Sequence, residues 1–138
     1  MEFFFCAYSK KRKPHIVIKQ IHWDKPEEGW MKLNTDGSSL GNPGPAGGGG
    51  VIRDWTGRWI VGFSRNIGTA SSLMAELWAI RDGLMLCVGK NLAMVEIELD
   101  AKVVVDMLRN PQYSNRSFSS LLEDCRKLIY EIPHVRIK

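Results

Sequence analysis

Three carboxylates of the sequence, Asp36, Glu76 and Asp100, have residue types and surroundings that could support metal-ion chemistry. Taken alone, Asp36 is typical of an aspartate that forms a turn before glycine, and Asp100 is typical of a helix N-cap. Glu76 fits neither role, because it lies three residues from Leu73 and four from Ile80 and so flanks the apolar face of a predicted helix. A carboxylate turned toward a core requires a cation or hydrogen-bond donors.

The three carboxylates become more informative if the fold brings them together. If the strands that end at Asp36 and Asp100 are parallel neighbours joined through the Glu76 helix, both aspartates emerge where open α/β sheets place their sites. Three carboxylates in one place repel each other unless divalent cations neutralise them, and such oxygen ligands suit Mg²⁺ or Mn²⁺. The sequence therefore predicts a shared magnesium-type site. Ser38 and Ser39 offer no competing nucleophile, because no histidine lies near them in sequence.

The apolar pattern predicts the elements that must position these residues. Alternation predicts strands at residues 30–36, 51–54, 58–65, 95–99 and 135–138. Helical spacing predicts helices from Ser71 or Ser72 to Gly89, from Asp100 to Asn110, and from about Ser120 to Pro133. A three-strand meander followed by helix, strand, two helices and strand is typical of a mixed α/β sheet with a crossover between parallel strands.

The glycine-rich stretch from Gly41 to Gly50 superficially suggests a phosphate cradle. It lacks the Lys and Ser/Thr of a nucleoside-triphosphate loop, and no helix follows it. The interpretation we favour is a strand with little side-chain bulk, which would permit close approach of a ligand backbone.

Composition and charge narrow the class of protein. The chain has 138 residues, 44% apolar and 25% charged, and no run long enough to span a membrane. The 19 Lys and Arg outnumber the 15 Asp and Glu, and residues 1–35 hold seven of the former against four of the latter. We assign residues 1–28 to a basic arm and linker, which is either a phosphate-seeking or import segment or a solvated tail. Three cysteines without metal spacing and no signal-peptide core indicate an intracellular, unsecreted protein, with the nucleus as one location.

Three segments of the chain resemble type 1 ribonuclease H, the nuclease that cuts the RNA strand of RNA/DNA hybrids. Residues 34–47, NTDGSSLGNPGPAG, resemble its opening strand and loop; residues 74–80, MAELWAI, its Glu-bearing helix; and residues 98–105, ELDAKVVV, its second Asp-bearing strand end. The lead-in GWMKLN at 29–34 and the run Asp100, Ala101, Lys102 are most similar to the plant group of such domains, derived from non-LTR retroelement reverse transcriptases.

The resemblance covers residues 29–138 and implies a monomeric, ribonuclease H-like five-stranded domain that cleaves the RNA strand of hybrids with two Mg²⁺ (or Mn²⁺) ions. It implies that Asp36, Glu76 and Asp100 are the catalytic metal ligands. It further implies contacts to the minor groove of the hybrid, where RNA displays its 2′-hydroxyls. The residues implied in these contacts are Ser38, Ser39, Gly41 and Asn42.

Two departures from the family pattern bear on activity. The family has a fourth carboxylate in a final helix after the fifth strand, and this sequence ends at Lys138 before such a segment. We expect an apolar sheet face to be left uncovered where that helix is absent. Ser72 and Leu73 also stand where bacterial enzymes carry asparagines that contact the hybrid. The alternatives to an active nuclease are a catalytically inactive, nucleic-acid-binding remnant and a decayed fragment without a stable fold.

Overall fold

A computed structural model of the chain describes residues 2–8, 16–22, 24–110 and 119–138. These ranges contain seven strands and three helices in the order given next. They are β1 Glu2–Tyr8, β2 Ile16–His22, β3 Met31–Ser39, β4 Gly44–Arg53, β5 Trp59–Ala70, α1 Ser72–Gly89, β6 Met94–Glu98, α2 Lys102–Arg109, α3 Ser119–Glu131 and β7 His134–Ile137.

The main sheet has five strands in the order β5-β4-β3-β6-β7. The first three form an antiparallel meander, and β6 and β7 extend the sheet in parallel from the other side of β3. The chain reaches β6 from β5 through α1, so the predicted mixed sheet with a parallel crossover is confirmed. The turn between β4 and β5 is closed by Asp54, whose carboxylate accepts from the backbone N–H groups of Thr56 and Arg58 at 2.9 and 3.0 Å.

Helix α1 packs against one face of the sheet and contributes to the core there. Its N-cap is Ser71, whose hydroxyl accepts from the backbone N–H of Met74, as predicted. The apolar side of the helix packs on β3 and β4, and α2 and α3 complete the same core. Residues buried on α1 include Leu77, Ile80, Leu84 and Cys87.

The glycine run lies in β4, as predicted, but other parts of this chain, on α1 and β3, pack closely against its backbone. A Cβ at Gly48 would lie 3.0 Å from the Ala79 side chain, and one at Gly50 would lie 2.4 Å from the Asn34 carbonyl oxygen. The interpretation that this strand leaves room for a ligand backbone is therefore wrong at these positions. The small residues allow α1 and the neighbouring strands to pack closely.

The other face of the sheet differs from the apolar surface that we expected. Lys32, Arg53 and Glu96 lie side by side in register across β4, β3 and β6, and each is at most 2% exposed. The Lys32 ammonium lies 3.1 Å from Glu96 and 2.6 Å from Glu98. The expectation of an uncovered apolar face is wrong, because this face carries buried charges: Lys32 and Glu96 are paired, and the Arg53 guanidinium lies over the Trp59 ring.

The N-terminal segment contains regular structure that the sequence analysis missed. Strands β1 and β2 pair antiparallel, with Glu2 opposite His22 and Tyr8 opposite Ile16. Both segments are rich in β-branched and aromatic residues, which favour strands, and this signal was available in the sequence. Most of the basic stretch, Lys10 to Lys13, lies outside the described residues. In the part of the chain that the structure covers, no helix is long and apolar enough to cross a membrane.

Candidate active site

Glu76 is the centre of the candidate site. It is the fifth residue of α1 and is half-buried against β3. Burial raises the pKa of its carboxyl group to about 8, and the charge of Asp36, a hydrogen bond with Asp36 and the charge of Asp100 act in the same direction. The backbone N–H of Gly37 donates to Glu76 and opposes the shift. Without a cation, Glu76 is therefore mostly protonated at neutral pH.

Asp36 lies inside a strand rather than at its end. β3 continues through Ser39, and Asp36 stands opposite Gly49 in the ladder with β4. The prediction that Asp36 terminates its strand, and the alternative that it forms a turn, are both wrong. Glycine after aspartate favours a turn, and this local preference does not hold at Gly37. A Cβ at Gly37 would lie 2.3 Å from the Ala75 carbonyl oxygen, so glycine is required there by the approach of α1.

Asp100 is exposed and lies two residues after the end of β6. The N-cap of α2 is Ala101, with no side-chain cap bond, so the alternative role of Asp100 as the helix N-cap is wrong. The ladder between β3 and β6 ends at the pair Asn34 and Glu98. In the described chain, no strand pairs with that side of β3 beyond Asn34, and Asp36 lies beside this opening.

The geometry therefore joins the three predicted carboxylates to different degrees. Asp36 and Glu76 are in hydrogen-bond contact, and Asp100 acts on Glu76 through its charge. Within the described ranges, no group of three or more His, Cys, Asp or Glu side chains could hold a metal ion as placed. The Asp36–Glu76 pair is the part of the predicted site that is assembled.

The donors of this pair fit a divalent cation. Oε2 of Glu76 is buried and has no hydrogen-bond partner. Two adjacent carboxyl groups form a hydrogen bond only when one of them carries a proton, and a cation between them would replace that proton. Hard carboxylate oxygens of this kind are the ligands that Mg²⁺ and Mn²⁺ prefer. The observation that supports a cation is therefore an unsatisfied, buried oxygen next to a like charge.

The predicted nucleic-acid contacts fall on the end of β3 and the loop that follows. Ser38 is exposed and pairs with Gly47. The Ser39 hydroxyl, with its single proton, lies within hydrogen-bond distance of the backbone carbonyls of Gly41 and Ala70, the latter at 2.8 Å. Asn42 is exposed, and its Oδ1 accepts from the backbone N–H of Ser72 at 3.1 Å. The sequence analysis did not foresee that Ser39 and Asn42 bind other parts of the chain.

Solved structures with the same fold place this architecture among ribonucleases H. The chain aligns with ribonuclease H1 of the archaeon Halobacterium salinarum at a TM-score of 0.74 and 24% identity, over 79% of this chain and 83% of that one. It aligns with a ribonuclease H1 isolated from compost, LC11, solved in complex with an RNA/DNA hybrid, at a TM-score of 0.68 and 25% identity. That match covers 78% of this chain and 83% of the other.

Sequence comparison gives the family. An Arabidopsis thaliana protein named "Putative ribonuclease H protein" is 43% identical over 121 residues, which are 88% of this chain. The match spans only 20% of the length of that relative. The family model described as "Reverse transcriptase-like" matches residues 34–138. The chain therefore belongs to the reverse transcriptase-like family of ribonuclease H-like domains.

Proposed function

We propose that this chain is a metal-dependent endoribonuclease that cleaves the RNA strand of RNA/DNA hybrids. Asp36, Glu76 and Asp100 are its metal ligands, and residues 29–138 form the catalytic domain. Support comes from the family, from ribonuclease H neighbours of the same fold, one of them in complex with a hybrid, and from the site. The observation that carries the proposal is the contact of Glu76 with Asp36 beside a buried, unpartnered carboxylate oxygen.

The chain's own residues prepare this site in two ways. β3 holds Asp36 rigidly because it is paired with β4 on one side and, up to Asn34, with β6 on the other. The first turns of α1 hold Glu76 against β3, where the Gly37 N–H orients its carboxyl group. Divalent ions bound there would polarise the scissile phosphate and activate the attacking water.

The opening beside β3 gives the substrate a route to the carboxylates. Asp100 stands exposed past the end of β6, so its carboxylate can close on the pair when a cation and a phosphate are present. Ser38 lies two residues past Asp36 on the same strand, and Ser38 and the backbone at Gly41 in the following loop are the proposed contacts to the minor groove of the hybrid. In this proposal the charged backbone of a nucleic acid, rather than a small substrate, lies over the site.

The test of the proposed function is cleavage of a labelled RNA/DNA hybrid by the full chain with Mg²⁺ or Mn²⁺. We expect cleavage of the RNA strand only, lost with a chelator and lost in Asp36→Asn and Glu76→Gln. Asp106→Asn is the matched control, because Asp106 is an exposed carboxylate on the outer side of α2 and outside the proposed site. Intact hybrid after prolonged incubation of the wild-type chain with either ion contradicts the proposal.

A second candidate function is a nucleic-acid-binding module without catalysis. It is favoured by the absence, in the described residues, of a three-residue group that could hold a metal as placed. In this reading the proposed basic arm, residues 1–28, and the loop after β3 retain the hybrid through phosphate contacts.

Filter binding separates the two candidates. A binding module retains hybrid in a salt-sensitive way without cleaving it, and deleting residues 1–20 abolishes retention if the arm makes the contacts. Retention that survives the deletion and is lost on substitution in the 36–42 segment places the contacts in the domain instead.

A further inference from the structure

The loop that joins β3 to β4 is bound to two other elements of the fold. At its start, the Ser39 hydroxyl, which has a single proton to donate, lies within hydrogen-bond distance of the Ala70 carbonyl at the end of β5 and of the Gly41 carbonyl within the loop. The backbone N–H of Leu40 donates to the Pro45 carbonyl at 2.8 Å and closes the loop on itself. The loop therefore has a defined conformation before any ligand is present.

The same loop reaches the N-terminus of α1. Oδ1 of Asn42 accepts from the backbone N–H of Ser72, the first residue of the helix, at 3.1 Å. The first N–H groups of a helix have no partner within the helix. The Ser71 hydroxyl satisfies that of Met74, so two side chains from different elements cap this helix.

This second cap matters because Glu76 follows it by one turn. Glu76 must meet Asp36 and the Gly37 N–H, and both of these lie on β3, immediately before the loop that carries Asn42. The bond from Asn42 to Ser72 thus joins the end of β3 to the start of α1. The two segments are therefore joined twice, by this bond and by the contact between Asp36 and Glu76.

We propose that Asn42, anchored through Ser39, is a positioning residue that fixes the first turn of α1 and thereby holds Glu76 in contact with Asp36. The consequence for catalysis rests on the proposed function, whereas the consequence for the geometry of the site does not. The Asn42 amide is oriented by this bond, with Oδ1 toward the helix. If Asn42 only contacted the hybrid, its bond to the helix would not be needed.

The structural test is hydrogen exchange of backbone amides, measured by NMR on the full chain without metal. In Asn42→Ala we expect the Ser72 and Met74 amides to exchange about fivefold faster, as for the loss of a typical N-cap. We also expect the Gly37 amide, which donates to Glu76, to exchange faster and shift its resonance. Asn42→Asp keeps an oxygen acceptor that suits a helix N-terminus and should restore the wild-type values.

Asn66→Ala is the matched control. The Oδ1 of Asn66 also accepts from a backbone N–H, that of Gly68, at 3.1 Å, but this bond is local to β5. If Asn42→Ala exchanges like this control at Ser72 and Gly37, the positioning role is overturned. If Ser72 responds and Gly37 does not, Asn42 is a helix cap without influence on Glu76, and the proposal is likewise wrong.

Kinetics of hybrid cleavage give the second readout. A positioning role lowers kcat and raises the Mg²⁺ concentration needed for half-maximal rate, with KM for the hybrid unchanged and with recovery in Asn42→Asp. A change confined to KM, without recovery in Asn42→Asp, assigns Asn42 to substrate contact and overturns the proposal. If the wild-type chain cleaves nothing, the proposed function fails, while the exchange measurements still decide the role of Asn42.

Discussion

Replacing Glu76 with glutamine should stabilise the metal-free protein at alkaline pH. The pKa of the Glu76 carboxyl group is about 8 in the fold, against 4.5 for an ordinary glutamate. At about 1.36 kcal/mol per pH unit, ionising this group in the fold would cost about 5 kcal/mol if no solvent screened it. The side chain is only half-buried and shares a proton with Asp36, so we expect about 2–3 kcal/mol.

The sign follows from proton binding. Between pH 4.5 and 8 the folded chain holds a proton on Glu76 that the unfolded chain releases, so the stability contributed by this group falls as pH rises through that window. Glutamine has no proton to lose. The free energy of unfolding of the wild type should therefore fall by about 2–3 kcal/mol more than that of Glu76→Gln between about pH 5 and pH 9.

The assay is urea unfolding at each pH with a chelator present, followed by the same series with Mg²⁺. Groups remote from Glu76 titrate equally in both proteins and cancel in the comparison, whereas Asp36, which shares the proton, is part of the measured effect. Glu131→Gln, an exposed carboxylate at the end of α3, is the control and should follow the wild type. Mg²⁺ should stabilise the wild type at alkaline pH and leave Glu76→Gln almost unchanged. Equal pH dependence in the wild type and Glu76→Gln would refute the proposed burial of a carboxyl pair.

Three further outcomes are expected. Gly37→Ala should lower the free energy of unfolding by about 2–3 kcal/mol and reduce cleavage, because its Cβ would press on the α1 backbone. Gly89→Ala should be nearly neutral in thermal unfolding, because a Cβ there would have no atom within 4 Å. Lys32→Met should cost about 3 kcal/mol, because it removes the buried partner of Glu96 and leaves that carboxylate with the half-exposed Lys138 alone. In the same assay Glu27→Ala, in an exposed ion pair, should cost below about 1 kcal/mol. Asp36→Asn should reduce Mg²⁺-dependent hybrid cleavage at least about 100-fold, and an unchanged rate would remove Asp36 from the site.

The secondary structure was predictable where local patterns and packing agree. The residue types at Ser71 and Gly89 predicted one cap of α1 and the end of that helix. Apolar spacing predicted the turns between them. The alternation in β3, β6 and β7 identified these three strands, of which β7 lies at the edge of the sheet. The end of β3 was predicted three residues too early, because glycine after aspartate is usual in turns. Gly37 is needed here because the backbone of α1 packs closely against it, and the local sequence contains no sign of that contact.

Burial on the second face of the sheet was not predictable from alternation. Lys32 occupies a position where a polar residue normally indicates solvent, yet it is fully buried in a central strand. Its partner Glu96 is 64 residues away in sequence, so the ion pair becomes visible only when β3 and β6 are placed in register. The contacts of Ser39 and Asn42 were missed for the same reason, since their partners Ala70 and Ser72 lie about 30 residues away.

The register of the sheet also bears on the order in which Asp36 and Asp100 reach their places during folding. β3 pairs with β4 across a short loop, but its partners in β6 lie about 60 residues further along the chain. We expect contacts between such distant segments to form after the β3–β4 pairing, because closing the longer intervening chain costs more entropy. A chain that is still folding can thus present Asp36 before Asp100 arrives. An ion bound by all three carboxylates would slow unfolding of the finished sheet more than it would speed its formation.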